Sequence, residues 1–458
     1  MKEKGKSLDM TQGNPAKLLI LFAIPMLIGS VFQLMYNMVD TIVVGRFVSV
    51  DALAAIGATS SATSFLMMMG QGMTNAVSVV VSQAAGAKNE RYLNKAVGQA
   101  VYLVAVSGVL LGALSFFGAR PMMELLGTPD NIIDQSVAYL QITGGLTIAL
   151  ITYNGVSAVL RAIGDSKTPL YFLIFCSLLN VVLDLVFVLA FNGGVVGVAA
   201  ATVLSQGVSA VLCLLYMVWK YPLLRPSRSS FAFDSEIIRE YLRIGLPTCV
   251  QNLFLCVGMF VITAVINSHG SDIVAAYTIG SKVEQLATVS FSNVAFSFSV
   301  YAGQNFGAKQ YRRIKEGLAK GIAIIGALSL VSTAVMLLFA EPIARIFMDK
   351  DAPLKVLEGA VSMIRIEAVL YAALGAIWTV NSALRGIGAV KMTLVSSIIE
   401  LVAKIGISVL LPLAIGYVGI WIAAPVGWVL GLIPSLFYLL HWFKKQERAP
   451  LPPVPETA

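Results

Sequence analysis

Charge is scarce in this chain. Only 12% of its 458 residues are Asp, Glu, Lys or Arg, against roughly 25% in soluble domains. With 57% hydrophobic residues, that scarcity excludes an ordinary soluble globule and requires an integral membrane protein. The alternating ten-residue pattern of an outer-membrane barrel is missing too, while apolar runs of helical length recur throughout, so an all-α fold is expected. Cysteines number four, Cys176, Cys213, Cys249 and Cys256, each inside an apolar run where it reads as a small filler. No disulfide, metal site or cofactor is expected. The first ten residues are basic and polar and lack the apolar core of a cleavable signal peptide, so the first span is expected to direct insertion itself.

Twelve spans are expected, at about residues 17–44, 52–82, 94–118, 136–161, 168–191, 195–219, 241–267, 273–303, 317–340, 356–384, 392–415 and 417–443. A net charge of +8 would suit a nucleic-acid partner, but the placement of the cations argues against one. With helix ends counted in the adjoining loops, 24 of the 32 Lys and Arg fall on the side of the termini, 5 in the opposite loops and 3 within spans. Acidic residues split 10, 9 and 5, so the bias belongs to the cations, as the positive-inside rule requires. Both termini are therefore expected in the cytoplasm, and the chain in the inner (plasma) membrane. Residues 444–458, with Pro450, Pro452, Pro453 and Pro455, read as a disordered tail.

The chain repeats itself. Ile24-Pro25 returns as Leu246-Pro247, Gln83 to Lys88 as Gln304 to Lys309, and Leu160-Arg161-Ala162-Ile163-Gly164 as Leu384-Arg385-Gly386-Ile387-Gly388, at offsets of 222, 221 and 224 residues. Two six-helix lobes are expected, residues 1–219 and 241–443, joined by a linker over 220–240. Because six is even, a pseudo-two-fold axis along the membrane normal relates them. Two such lobes enclose a cleft able to open to either side.

Five acids lie within spans. A charged aspartate at mid-membrane depth is unfavourable by roughly 2.5 to 3.5 kcal/mol, so it is protonated, paired or facing a water-filled cavity. Glu284 has Lys282 beside it, Glu367 has Arg365, and Glu400 has Lys404 one turn on, so all three read equally well as structural ion pairs. Asp40 and Asp184 have no such neighbour. Tyr36 and Asn37 lie one turn before Asp40, Asn180 one turn before Asp184, and Thr202 at similar depth, which makes a polar cluster in the first lobe. The repeat puts Ile262 opposite Asp40, Lys404 opposite Asn180 and Ser408 opposite Asp184, so ion coupling is expected in the first lobe alone. The competing reading is that the two aspartates join helices as neutral, hydrogen-bonded acids.

These features, namely Met35 to Arg46 in span 1, the Gly-Ala-Lys segments after spans 2 and 8, Leu160 to Pro169, and Asn180 with Asp184, resemble the multidrug and toxic compound extrusion family. The resemblance is to the bacterial branch related to the DNA-damage-inducible members. It implies a two-lobed antiporter that works by alternating access and expels organic, often cationic, compounds in exchange for protons or sodium. It further implies that Asp40 is the protonation site, with Tyr36, Asn154, Asn180, Asp184 and Thr202 as its network. Sodium-coupled members place carboxylates in spans 7 and 10, where this chain offers Gln251, Asn252 and Glu367, so proton coupling is expected. An aspartyl protease would, by resemblance, need Tyr-Asp and Gly-x-Gly-Asp, but Asp40 follows Val39 and Asp184 follows Leu183, so no enzyme is expected. A lipid-linked oligosaccharide flippase, the alternative, would need a strongly cationic cavity for pyrophosphate, and only Lys282, Arg365 and Lys404 lie within spans. A monomer is expected. Met and aromatic residues of spans 1 and 2 (Phe32, Met35, Met38, Met67, Met68, Met69, Met73) read either as a promiscuous site or as packing.

Overall fold

The computed structural model describes residues 7–348 and 352–448. The first half consists of α1 (Pro15–Phe47), α2 (Val50–Gly86), α3 (Glu90–Leu125), α4 (Asp130–Gly145), α5 (Thr147–Ala162), α6 (Lys167–Leu185), which runs into a π-helical turn at Val186–Ala190, and α7 (Gly194–Lys220). The second consists of α8 (Ser235–Asn267), α9 (Ser271–Gly307), α10 (Tyr311–Ile346), α11 (Leu354–Ala368), α12 (Tyr371–Gly386), α13 (Val390–Leu410), the short α14 (Pro412–Ile415) and α15 (Val418–Arg448). With α4–α5, α11–α12 and α13–α14 each taken as one span, the twelve expected spans are present. The last helix runs past residue 443 to Arg448, and the rest of the proline-rich tail lies outside the described residues. Likewise α8 begins at Ser235 rather than 241, because Asp234 caps it by accepting from the Glu236 and Ile237 N–H groups.

Ten helices, and the bent α11–α12 pair as an eleventh, are long and apolar enough to cross a membrane. The twelfth span, α9, is too polar for that measure, and its Ser-, Asn- and Gln-rich second half is buried by neighbouring helices instead of lipid. Duplication reaches fine detail. Leu146 breaks the fourth span at φ −100°, ψ 21°, and Leu370 breaks the tenth at φ −109°, ψ 17°. Neighbouring hydroxyls serve the carbonyls near these breaks, Ser115 donating to Leu140 O at 3.0 Å and Thr333 to Ala368 O at 2.6 Å. The Gly-Ala-Lys segments are turns in which Lys88 and Lys309 adopt φ 52° and 58°.

Leu160 to Pro169 contains the turn, residues 163–166, that joins α5 to α6. Its Asp165 accepts from the Thr168 hydroxyl (2.6 Å), the Tyr221 hydroxyl (2.6 Å) and the Lys220 ammonium (3.1 Å). Burial opposes its charge, yet these bonds outweigh that and hold the carboxyl below the usual range. The brace therefore contributes stability above the ordinary aspartate range and loses it as pH falls through the lower folded-state value.

The lobes clasp each other at the Lys/Arg-rich end. Leu18, Leu19 and Phe22 of α1 are buried with Phe298, Tyr301 and Ile314 of the second half, while Val44 of the same helix is buried with Val188 and Val198 of the first. Helix α8 reciprocates, burying Ile237, Tyr241 and Ile244 against Ala76, Val77 and Val97. Polar contacts complete the closure. Gln83 Nε2 donates to Gly386 O at 2.8 Å, and its repeat partner Gln304 Nε2 donates to Ala162 O at 2.7 Å. A strap before α1 threads the seam: Leu8 N–H reaches Gly164 O at 3.3 Å and Met10 N–H reaches Gln304 Oε1 at 2.9 Å, with Met10 fully buried.

Candidate functional site

Asp40 stands near the far end of α1 and Asp184 near the end of α6, and the two helices pack together so that the two carboxyl groups are neighbours. Asp184 is completely buried and Asp40 half-buried. Asn180, 1% exposed, sits between Asp184 and Thr202; with its amide assigned so that both ends are satisfied, its nitrogen donates to Asp184 Oδ2 at 3.0 Å and its oxygen accepts from the Thr202 N–H at 3.2 Å. Tyr36 lies beside the same cluster, in which the Thr202 hydroxyl donates to Val198 O at 3.0 Å. Oδ1 of each aspartate is sealed from solvent and meets no donor among the described residues. Two neighbouring carboxyl groups in such surroundings cannot both be ionised without strong repulsion, so the arrangement suits a shared proton.

Not every expected member joins. Asn37 is exposed, its carbonyl taking the Thr41 hydroxyl at 2.8 Å. Asn154 lies two turns from the end of α5 nearest the basic side, whereas Asp184 lies near the far end of α6, about 13 Å deeper by helical rise. Conversely, Tyr139 of α4, 9% exposed and close to both aspartates, was not anticipated, since one tyrosine in an apolar span carries no distinguishing pattern. Of the methionines, Met68 and Met69 lie where α2 meets α8, their backbone carbonyls accepting from Asn252 and Cys249, while Met35, Met38 and Met67 are exposed.

The second lobe departs from expectation. Among the described residues neither Lys282 nor Arg365 pairs with its neighbouring acid; both side chains are exposed, because residues two apart on a helix face different ways. Glu284 and Glu367 instead share the surroundings of Lys404, whose ammonium is 2.6 Å from Glu400 and 5.9 Å from the Trp428 ring centre. The repeat positions Ile262, Lys404 and Ser408 gave no sign of this arrangement, in which the second lobe gathers three carboxylates around one built-in cation. Stranding a buried charge by removing its partner typically destabilises by about 3 to 5 kcal/mol. Lys404→Met should therefore lower the thermal midpoint in detergent more than Glu400→Gln/Lys404→Met does, and equal midpoints would count against the pairing.

The MatE family model matches residues 25–186 and again 247–410, one copy per half. The probable multidrug resistance protein YpnP of Bacillus subtilis (strain 168) is 28% identical over 397 residues, covering 86% of this chain and 88% of its own. DNA damage-inducible protein F of Escherichia coli (strain K12) is 24% identical over 323 residues, 70% of each chain. The fold is that of a multidrug resistance MATE family transporter of the MOP superfamily solved in an outward-facing conformation, with a TM-score of 0.89 at 22% identity over 98% of this chain and all of that one. The duplicated six-helix architecture and a family match to both halves make this chain a member of the MatE family of multidrug efflux transporters.

Proposed function

We propose that the protein exchanges small organic compounds, cationic ones among them, for protons by alternating access, as a monomer in the inner membrane with its basic end and both termini in the cytoplasm. The observation that carries this reading is the placement of Asp40 and Asp184 as neighbours where α1 packs on α6, with Asp184 fully buried. A proton neutralises the pair and a cationic substrate favours its ionised form, so the two ligands compete for one site. Helix α1 supplies the coupling. Its far half belongs to the first lobe and its near half packs on the second, with Pro25 between them lacking a backbone hydrogen bond, so a shift at Asp40 bears on the clasp. The lobes, residues 1–219 and 241–443, then rock about the 220–240 connection. A sodium-coupled exchange through the second lobe fits less well, because Lys404 already supplies a cation among Glu284, Glu367 and Glu400. The reading is tested by efflux of a fluorescent organic cation in vesicles with pH and sodium gradients imposed separately: the pH gradient alone should drive it, and transport driven by sodium alone would refute it.

A further inference from the structure

A groove of about 490 Å³ lies at the basic end between the first turns of α8 and the start of α13. Three cations line it, Arg239, Arg243 and Lys391, beside Phe233, Leu242 and Leu246. All three cationic side chains are exposed, and none forms an ion pair or side-chain hydrogen bond with a described residue. Neither Glu236 nor Glu240 lines the groove, and Glu240 is turned away to accept from the Tyr92 hydroxyl at 2.7 Å. The apolar members are exposed as well, Phe233 at 71% and Leu246 at 50%.

Unpaired cations above exposed apolar side chains, at the boundary of a membrane span, make a surface that water alone or acyl chains alone leave unsatisfied. An amphipathic anion satisfies both parts. We propose that this groove is a binding site for one anionic phospholipid, its phosphate held by Arg239, Arg243 and Lys391 and its acyl chains lying along Phe233, Leu242 and Leu246. The site belongs to the second lobe: at the repeat offsets the first lobe presents Lys17, Leu21 and Lys167, one cation fewer. A lipid seated here also touches Pro247, the counterpart of Pro25, and so lies against the helix that clasps the first lobe.

The test is native mass spectrometry of the full-length protein in neutral detergent, with phosphatidylglycerol and phosphatidylcholine of matched chains competing. Wild type should retain phosphatidylglycerol preferentially, and the Arg239→Gln/Arg243→Gln/Lys391→Gln variant should lose the preference. Each cation near a membrane surface is worth about five-fold in affinity, so the three together amount to about 100-fold. Excess inorganic phosphate should not displace the lipid, because it cannot use the apolar part. If the triple variant is not monodisperse, Arg243→Gln alone should show about a five-fold loss. Equal retention of both lipids by wild type, unchanged phosphatidylglycerol binding in the variants, or displacement by inorganic phosphate would each overturn the proposal.

Discussion

Asp40→Asn will yield a folded, membrane-inserted protein whose proton-driven efflux falls to the level of empty vesicles. The amide matches the carboxyl in shape and supplies N–H donors toward Asp184, so the contact between α1 and α6 is retained while the exchangeable proton is lost. Asp184→Asn should act the same way, because the pair shares one proton and either half removes it. Glu400→Gln/Lys404→Met should impair transport less than Asp184→Asn, since it removes a carboxylate and its own counterion together. Proton-driven efflux at wild-type rates by Asp40→Asn, at matched expression, would refute the mechanism.

The second large effect is expected where the lobes touch. A Cβ at Gly86 would overlap the Gln304 carbonyl, and one at Gly307 would overlap the Gln83 carbonyl. The obstacle in each case is backbone, so no rotamer change relieves it, and the helices themselves must separate. Gly86→Leu and Gly307→Leu, singly or together, should therefore prevent closure of the basic end and stop turnover without touching the aspartates. Spin labels placed across that seam, on α2 and α9, should report longer distances than in the wild type. Unchanged distances with normal transport would show that the clasp is not part of the cycle. The buried strap through Met10 should be released in the same variants, with faster hydrogen exchange at the Met10 amide that now bonds Gln304.

Much of this architecture is legible in the chain, because a duplication leaves paired marks. Gln83 and Gln304, or Gly164 and Gly388, announce equivalent places at a fixed offset, and the structure puts each pair in equivalent turns or contacts. What such marks do is less legible. Gln83 meets Gly386 across some 300 residues, and no local pattern reveals that partner. The breaks at Leu146 and Leu370 carry no proline and look like continuous apolar helix, so they emerge only in three dimensions. At the site, Asp40, Asp184 and Asn180 stood out because polarity in an apolar span is rare. Tyr139 did not, since a tyrosine ring suits lipid and packing equally. The Lys282–Glu284 and Arg365–Glu367 pairings failed for a reason of helical geometry: nearness in sequence at a spacing of two is separation in space.

The central claim, that substrate and proton compete at the Asp40–Asp184 pair, is tested most directly by following protons when substrate binds. Purified protein in weakly buffered detergent solution with a pH indicator is mixed with an organic cation. At a pH where the pair holds its shared proton, wild type should release about one proton per substrate bound. Asp40→Asn and Asp184→Asn should release none. Equal proton release by all three proteins, or substrate binding to wild type with no release across the accessible pH range, would contradict the account.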